Sequence, residues 1–293
     1  MSQATTAIAV PSARFADFLE LTKPRITFLV LVTAAVGYAV GLRGPFEPAV
    51  FAALMAGTAF VSGGASALNQ YAERESDARM QRTRHRPLPA GRVTPGNALA
   101  FGLLLSAAGL GLLAGVNGLT YFLGIAALGS YVLLYTPLKR VTSLCTVVGA
   151  VPGAIPPLMG WAAARGSLDA AGWALFTILF LWQLPHFLAI GWMYREDYAR
   201  AGFPMLTVLD ADGRATARQA MLYCAALLPV TMAAGVLSRA GVVYLAGAAL
   251  LGLAFLGGSV RVARVKSISA ARRLFAISIV YLPALLALMV FDR

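Results

Sequence analysis

The stretch Asn69-Gln70-Tyr71-Ala72-Glu73-Arg74-Glu75-Ser76-Asp77 sets one amide and two carboxylates at steps of four, and Arg79, Arg82, Arg84, Arg86 and Arg92 follow closely. On a helix such steps keep side chains on one face, each turned about 40° from the last, so Asn69, Glu73 and Asp77 make a stripe of oxygen donors about two turns long. That stripe suits Mg2+, a hard ion that binds through one or two carboxylates and takes its remaining ligands from water and substrate phosphates. The neighbouring arginines fit the same chemistry, because planar guanidinium groups pair with the phosphate oxygens a metal leaves free. A plainer reading is a solvated, salt-bridged loop whose cations only set topology. It accounts for the arginines but not for three oxygen donors in register, at the mouth of an apolar segment where charge is costly.

A second group of cations, Lys23, Arg25, Lys139 and Arg140, stands where apolar segments begin, as anion contacts or as snorkelling topology determinants would. His186 follows Pro185 inside another apolar segment. There it serves either a bound molecule, as metal ligand or proton carrier, or only a neighbouring helix, as a neutral hydrogen-bonded ring.

These residues sit in a chain of 293 residues that is 59% apolar and aromatic and only 12% charged. An ordinary soluble domain carries roughly a quarter charged residues. Apolar runs long enough to cross a bilayer as helices recur at 26–42, 49–68, 97–115, 119–136, 142–163, 172–192, 217–238, 241–258 and 273–291. The pattern predicts an all-α polytopic membrane protein, about nine transmembrane helices in a single bundle spanning residues 1–293 as one domain. Lipid tolerates only segments that satisfy their own backbone hydrogen bonds. All 24 Lys and Arg except Arg43, Arg165, Arg239 and Arg293 fall on one set of alternate connections, which places the N-terminus and residues 1–25 in the cytoplasm. The two long connections, 69–96 and 193–216, lie on that side, so the active-site loops and the chemistry are expected at the cytoplasmic face. The formal charge of +12 then reflects topology and an anionic substrate, not nucleic acid.

The first twenty residues lack a basic stretch running into a short apolar core, so no removable signal is expected. Only Cys145 and Cys224 occur, both in apolar runs, which excludes a disulfide framework and predicts burial. Trp161, Trp173, Trp182 and Trp192 fall near predicted span ends, as an aromatic belt would. Ser62-Gly63-Gly64-Ala65-Ser66 is read as a close-packing surface. Similar openings at Lys23-Pro24-Arg25-Ile26-Thr27 and Lys139-Arg140-Val141-Thr142 hint at a parallel four-helix repeat.

The pattern Asn69-x3-Glu73-x3-Asp77, with Arg82-Thr83 and Arg86-Pro87-Leu88-Pro89-Ala90-Gly91-Arg92, resembles the first signature of the UbiA-superfamily prenyltransferases. Glu73 stands where many members have Asp. A second signature is present in Trp182-Gln183-Leu184-Pro185-His186-Phe187, Tyr194-Arg195-Glu196-Asp197-Tyr198 and Ala201-Gly202-Phe203-Pro204-Met205-Leu206. This form is similar to the heme O synthase (protoheme IX farnesyltransferase) branch, as are Tyr135-Thr136-Pro137-Leu138-Lys139-Arg140 and Gly153-Ala154-Ile155-Pro156-Pro157-Leu158-Met159-Gly160-Trp161. The likeness runs from Leu21 to Leu206.

The resemblance implies transfer of the farnesyl group of farnesyl diphosphate to a vinyl group of heme B, with addition of water, giving heme O and diphosphate. Heme B is then a substrate, and Mg2+ is the cofactor. Asn69, Glu73, Asp77 and Asp197 are implied as metal ligands, with Arg25, Arg82, Arg86, Lys139 and Arg140 toward the diphosphate and His186 as a further candidate. Many relatives carry another Asp four residues after the position of Asp197, where this chain has Ala201, so the second metal half-site is lean and Glu196 is its nearest substitute. The implied setting is a bacterial cytoplasmic (inner) membrane, with the bilayer, and in some settings a heme A synthase or terminal oxidase assembly, as partner. Two alternatives stay open: a prenyltransferase acting on an aromatic acceptor such as a hydroxybenzoate, and a heme or isoprenoid transporter without chemistry.

Overall fold

The computed structural model describes residues 13–292; most of the segment for which no removable signal is expected lies outside them. A short helix, α1 (Phe15–Leu21), precedes α2 (Pro24–Gly41), α3 (Pro48–Arg79) and α4 (Pro95–Ala114). Next come α5 (Gly118–Gly129), a π-helical turn (Ser130–Tyr135) and α6 (Thr136–Leu138), which together make one rod. The chain continues through α7 (Cys145–Arg165), α8 (Ala170–Met193), the short α9 (Arg195–Arg200) and α10 (Leu206–Leu209), then α11 (Arg214–Ser238), α12 (Val242–Val265) and α13 (Ile268–Phe291). Among the described residues nine helical rods are long and apolar enough to cross a membrane, and each overlaps one of the segments expected from hydropathy. The protein is an all-α integral membrane bundle.

Local signals set the helix starts. Proline opens α2, α3 and α4, where its missing N–H is one the helix could not have used. Thr94, Asn117, Asp169 and Ser267 cap α4, α5, α8 and α13 by accepting free backbone N–H groups. The expected span 49–68 is the first part of a longer helix, because the residues after it, rich in Ala, Glu, Gln and Arg, are strong helix formers with no Gly or Pro among them. The oxygen donors therefore ride a rigid helix and not a loop.

Helix α2 crosses α7 so closely that a Cβ on Gly37 would meet the Pro157 carbonyl, and one on Gly160 the Ala34 carbonyl. Helices α3 and α4 are similarly tight: Gly64 lies on Ser106, and Gly109 on the backbone of Val61. Ser62 and Ser66, from the same small-residue run, face an internal cavity instead. Helix α13 packs on both α8 and α12 and touches α2, closing the bundle. Cys145 and Cys224 are buried and free, as expected.

The aromatic-belt expectation needs correction. Trp161 and Trp192 are buried core residues. Trp182 sits within α8 and donates its Nε1–H to the Ser278 carbonyl at 2.8 Å, and only Trp173 is about half exposed. Hydropathy locates a span end but does not say which face of the helix a ring occupies.

Candidate active site

Asn69, Glu73 and Asp77 are all buried on one face of α3, and each meets a cation from a different part of the chain. Asn69 Oδ1 accepts from Lys23 Nζ at 3.2 Å, while its Nδ2 donates to Thr136 Oγ1 at 3.1 Å. One turn on, Glu73 Oε2 pairs with Lys139 Nζ at 2.8 Å. A further turn on, Asp77 Oδ2 pairs with Arg86 Nη1 at 2.7 Å. The second oxygen of Glu73, Oε1, is buried with no hydrogen-bond partner among the described residues.

Lys23 reaches this stripe because the backbone between α1 and α2 turns through a left-handed conformation at that residue, φ 50°. Such a conformation is uncommon for a side chain-bearing residue and persists only where its surroundings impose it. Burial pushes Lys23 down to about 7, and the Arg86 charge pushes in the same direction. Burial also opposes the charge on Lys139, but adjacent Glu73 outweighs it and raises the lysine. Rings of Tyr135, Tyr198 and Phe203 surround the Lys139 ammonium, with Phe203 nearest at 4.5 Å. Arg140, exposed, donates to the Ala72 carbonyl at 2.6 Å.

Asp197, from the second motif, is buried at the start of α9 but turns to backbone. It accepts from the N–H groups of Gln81 at 3.1 Å and Arg82 at 3.3 Å, and it pairs with Arg200. Burial works against its charge, yet the Arg200 bond and the two amides hold the carboxyl below its usual value. The Arg82 guanidinium lies over the Tyr194 ring, 5.2 Å from its centre, and donates to Tyr198 Oη at 3.4 Å. Asp197 thus fastens the second motif to the turn that follows the oxygen stripe. The turn itself is held to α1: Arg92 pairs with Asp17 at 2.6 Å and Glu20 at 2.8 Å, and donates to the His85 carbonyl.

Beneath the stripe lies an almost wholly apolar cavity of 460 Å³, bounded by α2, α3, the π-helical turn, α7, α8 and α13, with Lys23 at its mouth. Tyr131 and Tyr135, stacked at 5.3 Å, line it from the π-helical turn. That turn forms where the Thr136 N–H and hydroxyl both bond to the Tyr131 carbonyl, just ahead of Pro137.

Two candidates stand apart from this arrangement. Trp182, Gln183 and Phe187 line the cavity, but His186 does not; its Nδ1 lies 2.7 Å from Ser278 Oγ, between the rings of Trp182 and Phe275. Arg25 is exposed and touches none of the carboxylates. Residues that composition did not single out, Thr136, Tyr198, Phe203 and Asp17, belong to the arrangement. Thr136, Tyr198 and Phe203 lie inside the motifs without a role that residue type alone would assign, and Asp17 lies outside them.

The donor set fits a divalent ion that borrows ligands from its substrate. Among the described residues no three His, Cys, Asp or Glu side chains form a closed metal cage. Mg2+ needs only one or two carboxylates beside phosphate oxygens. The unpartnered Glu73 Oε1 is a buried acceptor waiting for a cation or donor, since leaving such an atom bare costs about 1–3 kcal/mol.

Residues 30–280 match the UbiA prenyltransferase family. Over 94% of the chain and 98% of the relative, the sequence is 49% identical to a protoheme IX farnesyltransferase of Solibacter usitatus. Among solved structures it resembles one of digeranylgeranylglyceryl phosphate synthase, with a TM-score of 0.81 at 16% identity over 94% of this chain and 97% of that one. It also resembles a UbiA homolog from Archaeoglobus fulgidus bound to GPP and Mg2+, with a TM-score of 0.70 at 14% identity over 93% of this chain and 99% of that one. At these identities the structural likeness concerns the fold.

Proposed function

The chain belongs to the UbiA prenyltransferase family, and from that premise we propose that it transfers the farnesyl group of farnesyl diphosphate to a vinyl group of heme B. Water adds in the same reaction, yielding heme O and diphosphate. The acceptor rests on the likeness to protoheme IX farnesyltransferases along nearly the whole chain. The observation that carries the chemistry is the buried Glu73 carboxylate, one oxygen on Lys139 and the other unpaired among the described residues. It lies one helical turn from Asn69, which Lys23 joins to the apolar cavity.

Mg2+, held by Glu73, Asp77 and Asn69 with the diphosphate supplying further oxygens, would neutralise charge on the leaving group. Lys23, Lys139 and Arg86 already surround that stripe, so they are placed to take the remaining phosphate oxygens as the carbon–oxygen bond breaks. Charges fixed before the reaction need no reorganisation during it, which is the main source of acceleration in sites of this kind. Asp197 contributes by holding the Gln81–Arg82 backbone, and with it Arg82 and Arg86, against the substrate. Arg140 closes the rim.

The apolar cavity takes the farnesyl tail and keeps stray water from the allylic cation, with the Tyr131 and Tyr135 rings facing the positive charge. The vinyl carbon of heme B then bonds to the farnesyl C1, and water captures the new cation while losing a proton. The cation-rich connections support a site that faces the cytoplasm from a bacterial inner membrane, with the N-terminus on the same side.

The test incubates purified protein with farnesyl diphosphate and heme B, with and without Mg2+, and weighs the extracted heme. A mass gain of one farnesyl and one hydroxyl group that excess chelator abolishes is the expected result. Prenylation of hydroxybenzoate instead of heme would replace the acceptor, and an unchanged rate in chelator would remove the metal.

A further inference from the structure

The cavity is open along the seam between α2 and α13. Ile26, Leu29 and Val32 of α2 and Ile279 of α13 line it, yet each remains between about a third and three-fifths exposed. Above this apolar edge stand two arginines. On α2, Arg25 precedes Leu29 and Val32 by four and seven residues and shares their face. On α13, Arg272 precedes Ile279 by seven, a spacing that leaves two side chains within about 20° around a helix and about 10 Å apart along it. Pro283 and Leu286, further along the same stripe, also line the cavity. Both arginines are exposed, and among the described residues no side chain pairs with either. Of the other arginines near the site, Arg82 is engaged with Tyr198, Arg86 with Asp77, Arg92 with Asp17 and Glu20, and Arg140 with the Ala72 carbonyl. Arg79 on α3 and Arg273 beside Arg272 are also exposed and unpaired among the described residues but do not share the face of the cavity-lining stripe.

Resting on the heme acceptor reading above, we propose that Arg25 and Arg272 are the receptors for the two heme propionates. Heme B is flat, with two carboxylates on one edge and its vinyl groups elsewhere on the ring. A molecule of that shape fits an apolar slot between two helices whose outer rim bears one unpaired guanidinium on each side. Entering edge-on, it leaves its carboxylates at the membrane surface, where burying them would be expensive, and carries a vinyl group inward toward the farnesyl C1. Guanidinium suits carboxylate because its fork can donate two parallel hydrogen bonds. This gives Arg25 a different duty from the diphosphate contact that sequence resemblance implies. In the fold Lys23, not Arg25, reaches the oxygen stripe.

The experiment is steady-state transfer by the full-length protein in phosphatidylcholine nanodiscs, using heme B or its dimethyl ester as acceptor. Arg25→Gln and Arg272→Gln are each expected to raise KM for heme B about tenfold, the equivalent of one charge-assisted hydrogen bond, without raising KM for farnesyl diphosphate. Arg272→Lys should recover part of the loss. The parent protein should prefer the free acid to the ester, and the double variant should treat the two alike. Unchanged KM for heme B overturns the proposal, as does an equal loss with the ester. A rise in KM for farnesyl diphosphate in Arg25→Gln returns that residue to the diphosphate. Variant effects seen only when phosphatidylglycerol is added would assign the arginines to lipid phosphate and overturn it. Failure of the parent protein to farnesylate heme at all would instead overturn the acceptor reading; transfer that ignores both substitutions sinks only the arginine assignment.

Discussion

Lys139 Nζ lies 2.8 Å from Glu73 Oε2 and 4.5 Å from the centre of the Phe203 ring, so a buried ion pair is backed by an aromatic wall. Breaking a buried pair by removing one partner costs about 3–5 kcal/mol, because the remaining charge has no compensation. Lys139→Met should therefore lower thermal stability in detergent as well as activity. The double variant Glu73→Gln, Lys139→Met should regain most of the stability and none of the activity. Recovery of turnover in the double variant would show that the pair is only structural.

Asp77→Ala is expected to abolish diphosphate release while the protein still inserts into membranes. Asp77 ends the oxygen stripe and anchors Arg86, so its loss removes a ligand and frees a cation at once. The check is diphosphate released per milligram of membrane-extracted protein, and full activity would detach Asp77 from the reaction.

Asp197→Ala removes the acceptor for the Gln81 and Arg82 amides and the partner of Arg200. Loosening the turn should raise KM for farnesyl diphosphate more than it lowers kcat, and should expose residues 81–86 to limited proteolysis. A fall in kcat with unchanged KM and unchanged proteolysis would make Asp197 a direct participant.

His186→Ala should leave both KM values and kcat near those of the parent, since the ring faces Ser278 and Phe275 and not the cavity. Loss of one hydrogen bond should still cost about 1 kcal/mol of stability, visible as a lower Tm. A large fall in kcat at unchanged Tm would return His186 to the reaction.

Gly160→Val should destabilise the bundle by about 1–3 kcal/mol or more, the usual cost of overpacking, because its side chain would strike the Ala34 carbonyl where α2 crosses α7. Thermal aggregation of detergent-solubilised protein measures it, and an unchanged Tm would mean that the crossing has slack.

Helix number and position were readable from hydropathy because the bilayer leaves little choice: a long apolar run becomes a helix, and each expected span overlaps one. The Asn69, Glu73, Asp77 stripe was readable for a similar reason, since a step of four has one meaning on a helix. What the chain order could not give is which cation meets which oxygen. Lys23 and Lys139 lie far from Asn69 and Glu73 in sequence, and only the meeting of α2, α3 and the end of the α5–α6 rod brings them together. Asp197 was legible as an acid in a motif, but its bonding to backbone N–H groups has no sequence signature. For Trp161 and Trp192, position along a helix does not fix the side of the helix the ring occupies, and both rings turn into the core.

Helix α3 runs without interruption from Pro48 to Arg79, carrying Thr58, Ser62 and Ser66 on the cavity wall and Asn69, Glu73 and Asp77 in the turns that follow. Headgroup anchor and tail slot are therefore cut from one stiff piece, like a caliper whose jaw and scale cannot slip. An inserted residue between Ser66 and Asn69 would swing the anchor by about 100° away from the slot. Acceptance of a longer or shorter isoprenoid must accordingly come from trimming or filling side chains along the slot, because changing the length of this helix would spoil the grip on every substrate alike.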